Sequence, residues 1–114
     1  MYGRENDTAA CLESLLRQDH PNLTILLVDN ASPDGAGTRL QRRFPGIRYL
    51  HTGTNLGYAA GNNRGSELAL SAGAEYVLIV NNDPVLDSRC VSLLADALDR
   101  RADAAAVAPK ILYY

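Results

Sequence analysis

The sequence has no tryptophan, one phenylalanine, one methionine and only two cysteines. Two cysteines in 114 residues exclude a disulfide-built scaffold, and Cys11 and Cys90 are too far apart for any metal-binding spacing. Both fall in helical patterns and are expected to be buried free thiols. The two histidines, His20 and His51, have no partners at ligand or triad spacing, so neither a Ser-His-Asp nor a Cys-His arrangement can be argued. Neither sign of charge is in excess. The formal net charge of -2 gives no electrostatic case for nucleic acid or a membrane surface. No apolar run approaches the ~18 residues of a transmembrane helix. No secretory signal opens the chain and no low-complexity tract interrupts it. The expectation is a folded cytoplasmic chain, one domain at most. Its 46% hydrophobic content is enough for a single core that buries roughly two-thirds of the unfolded surface.

What is present is an alternation of helical and strand patterns. Asn6-Asp7-Thr8 offer cap residues for a helix running to Gln18, with Leu12, Leu15 and Leu16 on one face. His20-Pro21-Asn22 stops it. Residues 23–28 form a near-continuous apolar run of strand length, which suits a strand buried on both faces of a parallel sheet. A loop rich in Asn, Ser, Pro, Asp and Gly leads to a short helix ending near Phe44, and residues 47–51 alternate as a strand. A helix is predicted over about 58–72, closed by Gly73. Residues 76–80, Tyr-Val-Leu-Ile-Val, make the strongest strand pattern in the chain. Asp87 or Ser88 should cap a last helix with Val91, Leu94, Ala95 and Leu98 inward, and residues 104–108 are a weaker strand candidate. Tyr113 and Tyr114 are read as a buried strand end or a truncated interface. The order α-β-α-β-α-β-α-β predicts an α/β fold, a mostly parallel open sheet with helices on both faces. A leading strand normally opens such a fold, so the start in a helix and the apolar stop suggest a piece of a larger unit.

Ligands of open parallel sheets bind beyond the carboxyl ends of the strands. The groups at those ends are Asp29-Asn30-Ala31-Ser32, Thr52-Gly53-Thr54-Asn55 and Asn81-Asn82-Asp83, which the topology places on one edge. Asp83 and its neighbours are hard oxygen donors without histidine or paired cysteine, which favours Mg²⁺ or Mn²⁺ completed by substrate phosphates. The plainer alternative is a capping turn. Asp29 and Asn30 could pair with a base or ribose, or could simply cap the loop. From Asn55 to Gly65, three glycines and three asparagines crowd a helix start. Glycine inside a helix costs roughly 1 kcal/mol relative to alanine, so Gly61 and Gly65 point to close approach of a ligand or of another backbone. Arg64 could neutralise phosphate or be a solvated side chain. The glycine spacing is not a dinucleotide fingerprint.

Taken together, these segments resemble the nucleotide-binding half of family-2 inverting glycosyltransferases of GT-A fold, on the rhamnosyltransferase-like side, over essentially the whole chain. The segment from Cys11 to Gln18 resembles that family's first helix. The segment from Val28 to Gly35 resembles its nucleotide-contacting loop. Asn55-Leu56-Gly57 with Gly61-Asn62-Asn63-Arg64-Gly65 resembles its second signature, and Asn81-Asn82-Asp83 its Asp-x-Asp metal motif with Asn first. The resemblance implies a partial, Rossmann-like donor-binding domain over residues 1–114, binding a UDP- or dTDP-sugar for transfer to the hydroxyl of a glycan or lipid-linked acceptor with inversion, as in polysaccharide biosynthesis. Asp29, Asn30 and Ser32 would contact base and ribose. Asn55, Gly57, Asn62, Asn63 and Asn81 would shape the donor pocket, and Asp83 with Asn81 would hold Mg²⁺ or Mn²⁺. The Asn at position 81 removes one charge from the metal motif.

Members of that family begin with an apolar strand and continue into an acceptor half that carries the general base. Neither is recognised here, so the chain is expected to be inactive alone and to self-associate through exposed strand edges. A location at the inner face of the membrane is compatible with such an acceptor. A reading from another class is a receiver-like signalling module, supported by an Asp at a strand end and by Lys110. It lacks the acidic pair of a receiver. A nucleotidyltransferase would share the sheet edge but needs a basic glycine-rich loop near the start, which is absent.

Overall fold

The computed structural model describes residues 1–112. Its elements are α1 (Glu5–Leu16), β1 (Leu26–Asp29), α2 (Ala36–Arg43), β2 (Arg48–His51), α3 (Tyr58–Ser71) and α4 (Cys90–Asp99). β1 and β2 pair in parallel, with Leu26 opposite Arg48 and Asp29 opposite His51. The α/β class with a parallel sheet therefore holds.

Side-chain alternation along β1 sorts the helices onto two faces. Leu27 and Asp29 point to one side and are buried. There Leu27 joins Ala9 and Leu12 of α1, Leu40 of α2, Phe44 and Ile47 in a single core. Leu26 and Val28 point to the other side, where α3 lies so close that a Cβ on Gly65 would stand 2.7 Å from a Val28 methyl. Gly65 is thus spent on helix-to-sheet packing. Glu5 and Asp7 in the first turn of α1 match the positive end of its dipole. Gly73 follows α3 with φ +88°, the left-handed conformation that stops a helix.

Five expectations need correcting. Residues 76–80 join no ladder, and Tyr76, Val77, Leu78 and Ile79 are exposed. Residues 104–108 likewise form no strand. A strand requires a hydrogen-bonding neighbour as well as apolar side chains, and residues 76–80 have no such neighbour among the described residues, while the free edge of β1 is met by Met1 alone. The Met1 amine donates to the Val28 carbonyl, and Asn30 N–H donates to the Met1 carbonyl at 2.9 Å. That is the pattern of a parallel bridge between Met1 and Asp29. Behind it, Val28 N–H and the Leu26 carbonyl face the same edge and find no backbone partner among the described residues. The helix caps also differ: α1 starts one residue after Arg4, and α4 starts after Arg89. Leu16 is exposed while Thr8, Cys11 and Ser14 take the buried face of α1. Finally, Cys11 is buried but Cys90 is half-buried, and both are free thiols. The reading of Tyr113 and Tyr114 lies outside the described residues.

The segment after residue 80 is held by side chains of α1 and the turn that follows it. Ser14 Oγ accepts from Leu86 N–H at 3.1 Å. Gln18 donates to the Asp87 carbonyl at 2.8 Å and accepts from Val91 N–H at 2.9 Å. These bonds hold residues 86–91 against α1 and the turn that follows it. No helix among the described residues is long and apolar enough to cross a membrane.

Candidate functional site

The parallel strands bring the loops after β1 and β2 to one edge, and α1 fixes the Asn81-Asn82-Asp83 turn beside them. Between them is a cavity of about 390 Å³ lined by Asn30, Asn55, Tyr58, Asn62, Asn81 and Asn82, with Gly57 and Gly61 in its wall. Asn30, Asn55, Gly57, Asn62 and Asn81 therefore come together. Asn63 and Asp83 do not line this cavity, and Asp29 and Ser32 lie beneath it.

Asp29 is 1% exposed. One of its oxygens accepts from Ser32 N–H at 3.0 Å and Ser32 Oγ at 2.6 Å, and the other accepts from the Tyr49 hydroxyl at 2.9 Å. Burial pushes its carboxyl pKa up, but the Ser32 and Tyr49 hydrogen bonds outweigh that and hold it below the usual carboxylate range. The Tyr49 hydroxyl is pushed the other way, by burial and by the adjacent carboxylate. α2 packs directly on this group, since a Cβ on Gly37 would fall 2.0 Å from Asp29 Oδ2. Ser32 Oγ also accepts from Gly3 N–H at 3.0 Å, tying the start of the chain to the loop.

Asn30 faces the cavity and braces the second loop. Its amide donates to Asn55 Oδ1 and to the Gly57 carbonyl, both at 3.0 Å. Its oxygen accepts from Leu56 N–H at 2.9 Å and Thr52 Oγ1 at 3.2 Å. Gly61, one turn into α3, faces this side chain, and a Cβ there would meet it at 3.5 Å, an ordinary van der Waals contact.

The third loop has a protein partner for each polar side chain. Tyr58 Oη donates to Asn81 Oδ1 at 3.0 Å. Asn82 Nδ2 donates to Thr8 Oγ1 at 2.9 Å. Arg4 Nη1 stands 3.6 Å from Asp83 Oδ2. The Cys11 thiol donates to the Asn81 carbonyl at 3.6 Å, and burial, then the charge of Asp83, pushes its pKa up to about 11. Arg4, Tyr49 and Tyr58 had no motif to mark them. Their roles come from contacts with Asp29, Asn81 and Asp83 across 20 residues or more of chain.

Among the described residues no group of three or more His, Cys, Asp or Glu side chains is placed to hold a metal. The donors at the third loop are one half-exposed carboxylate and amide oxygens. They suit Mg²⁺ or Mn²⁺ in kind, and in number only if a bound diphosphate supplies further oxygens.

The sequence profile described as glycosyl transferase family 2 matches residues 1–111. The chain belongs to that family. It is 34% identical over 108 residues to N-acetylglucosaminyl-diphospho-decaprenol L-rhamnosyltransferase of Mycobacterium tuberculosis, covering 88% of this chain and 35% of that protein. It is 30% identical over 97 residues to glycosyltransferase GlyG of Streptococcus pneumoniae, covering 82% of this chain and 31% of that one. An uncharacterized glycosyltransferase of Escherichia coli, YibD, is 29% identical over 109 residues, covering 92% of this chain and 30% of its own length. The chain thus spans about a third of the length of these curated relatives.

Proposed function

We propose that this chain is the donor-binding part of a sugar-transferring enzyme and that its cavity takes a nucleotide-diphosphate sugar, with UDP or dTDP as the nucleotide. The observation that carries this reading is the meeting of Asn30, Asn55, Asn62 and Asn81 around one cavity in a member of glycosyl transferase family 2. Amides that both donate and accept suit a base edge, ribose and sugar hydroxyls. Asn30 makes the base or ribose contact, exchanging part of its bracing for it. Asp29 and Ser32 act from below by fixing the loop. Asn55, Gly57 and Asn62 shape the pocket.

Asp83 with Asn81 holds Mg²⁺ or Mn²⁺ against the diphosphate, where the cation supplies charge stabilisation of the leaving group. Transfer also needs a general base at the acceptor hydroxyl. No carboxylate lines the cavity among the described residues, so the base comes from elsewhere in the working enzyme and inversion is set there. A rhamnosyltransferase among the relatives favours a lipid-linked or glycan acceptor on the cytoplasmic side of a membrane. The unpaired edge of β1 makes self-association a property of the isolated chain.

Calorimetric titration with UDP and dTDP, with and without Mn²⁺, tests the reading. Binding of at least one nucleotide, weakened by Asn30→Ala, is expected. Failure of both to bind overturns it. The chain alone should transfer no sugar, and turnover by it would overturn the assignment of the base to another part.

A further inference from the structure

Among the described residues Arg4 is the one cationic side chain paired with the third loop, and its backbone is held in place. It has φ +56°, a left-handed conformation that is unfavourable for a residue with a Cβ. Thr8 fixes it there, since both its N–H and its hydroxyl donate to the Arg4 carbonyl, at 3.1 and 2.9 Å. Thr8 Oγ1 in turn accepts from Asn82. The turn that carries Asp83 and the residue that neutralises it are thus pinned to the same threonine. The guanidinium also reaches Asp7 at 2.9 Å, so it lies between two carboxylates, one of them next in sequence to Asn82 of the cavity wall. Among the side chains of the Asn81-Asn82-Asp83 turn, Asp83 has the longest protein contact. That contact is the one most easily exchanged.

Resting on the donor reading above, the geometry points to Arg4 as an exchangeable counter-ion. In the ligand-free site it neutralises Asp83. When a nucleoside diphosphate enters, the guanidinium turns to the phosphates, whose oxygens match its planar fork, and Asp83 is released to the divalent cation. Diphosphate and cation therefore bind cooperatively, and the coupling is reciprocal. An exposed pair of this kind changes an equilibrium by no more than about fivefold, so the exchange is reversible.

The test uses Mn²⁺ alone, followed by electron paramagnetic resonance, and UDP followed by calorimetry in EDTA and in Mn²⁺. Arg4→Gln should bind Mn²⁺ alone more tightly, by up to about fivefold. It should bind UDP in EDTA several-fold more weakly, and Mn²⁺ should strengthen its UDP binding less than it does in the parent. Arg4→Lys keeps the charge without the fork and should fall between the two, with circular dichroism confirming that both variants fold. If UDP binds but Arg4→Gln changes neither Mn²⁺ affinity nor the coupling, the counter-ion role is overturned and the donor reading stands. If UDP fails to bind the parent chain, both fall.

Discussion

Replacing Gly37 by alanine sets two effects of opposite sign against each other. Gly37 lies inside α2 without a positive φ, so alanine should favour the helix by about 1 kcal/mol. The new methyl would, however, sit 2.0 Å from Asp29 Oδ2, 2.5 Å from its Cγ and 2.8 Å from the Tyr49 hydroxyl. No rotamer of a carboxylate fixed on both oxygens clears that overlap. Moving Asp29 breaks the Tyr49 bond, and a hydrogen bond to a charged group contributes about 1.5–3 kcal/mol. Overpacking adds about 1–3 kcal/mol. The net result should be a loss of about 1.5–5 kcal/mol, a large part of the stability of a small domain. Urea unfolding followed by circular dichroism is the assay, since there is no tryptophan to report by fluorescence. Gly46→Ala, with nothing within 4 Å of the new Cβ, is the control and should stay within about 0.5 kcal/mol of the parent. In an Asp29→Ala background the Gly37→Ala penalty should vanish and the helix gain should appear. An equal penalty in both backgrounds would refute the packing of α2 on the Asp29 carboxylate.

Asp29 also sets a pH dependence. Its folded pKa lies below that of an ordinary aspartate, so its contribution is fully present above the ordinary value and is lost as pH falls through the folded pKa. The urea midpoint difference between the parent and Asp29→Asn should therefore be constant near neutrality and shrink in acid, and an unchanged difference would count against the hydrogen-bonded carboxylate. Cys11, with its thiol raised to about 11, should present roughly one thiolate in a thousand at about pH 8. Iodoacetamide labelling read by peptide mass spectrometry should therefore modify half-buried Cys90 first, and equal rates would show that α1 opens easily.

Much of the fold was legible because its signals are local. Gly73 stops α3 through its own φ, and proline and glycine after Phe44 end α2. The division of labour between Asp29 and Asn30 was not legible. In a strand with apolar residues on both faces, alternation does not mark which neighbour turns inward. Only the placement of α2 against Asp29 and of Gly61 against Asn30 decides it. Tyr49 and Arg4 escaped for a related reason: each acts through a partner far along the chain, and an isolated tyrosine or arginine has no spacing to read.

The misread strand and the site are one physical problem. Asn30 leaves the end of β1, and Asn81 follows residues 76–80. In a complete parallel sheet the ladder between two such segments would hold their ends level. Here that work falls to Thr8, Cys11, Ser14 and Gln18, through side-chain bonds to residues 81–91. Each such bond contributes about 0.5–1.5 kcal/mol net and can break singly, whereas ladder bonds form and break together. The two sides of the cavity are therefore held less firmly than their amides are placed.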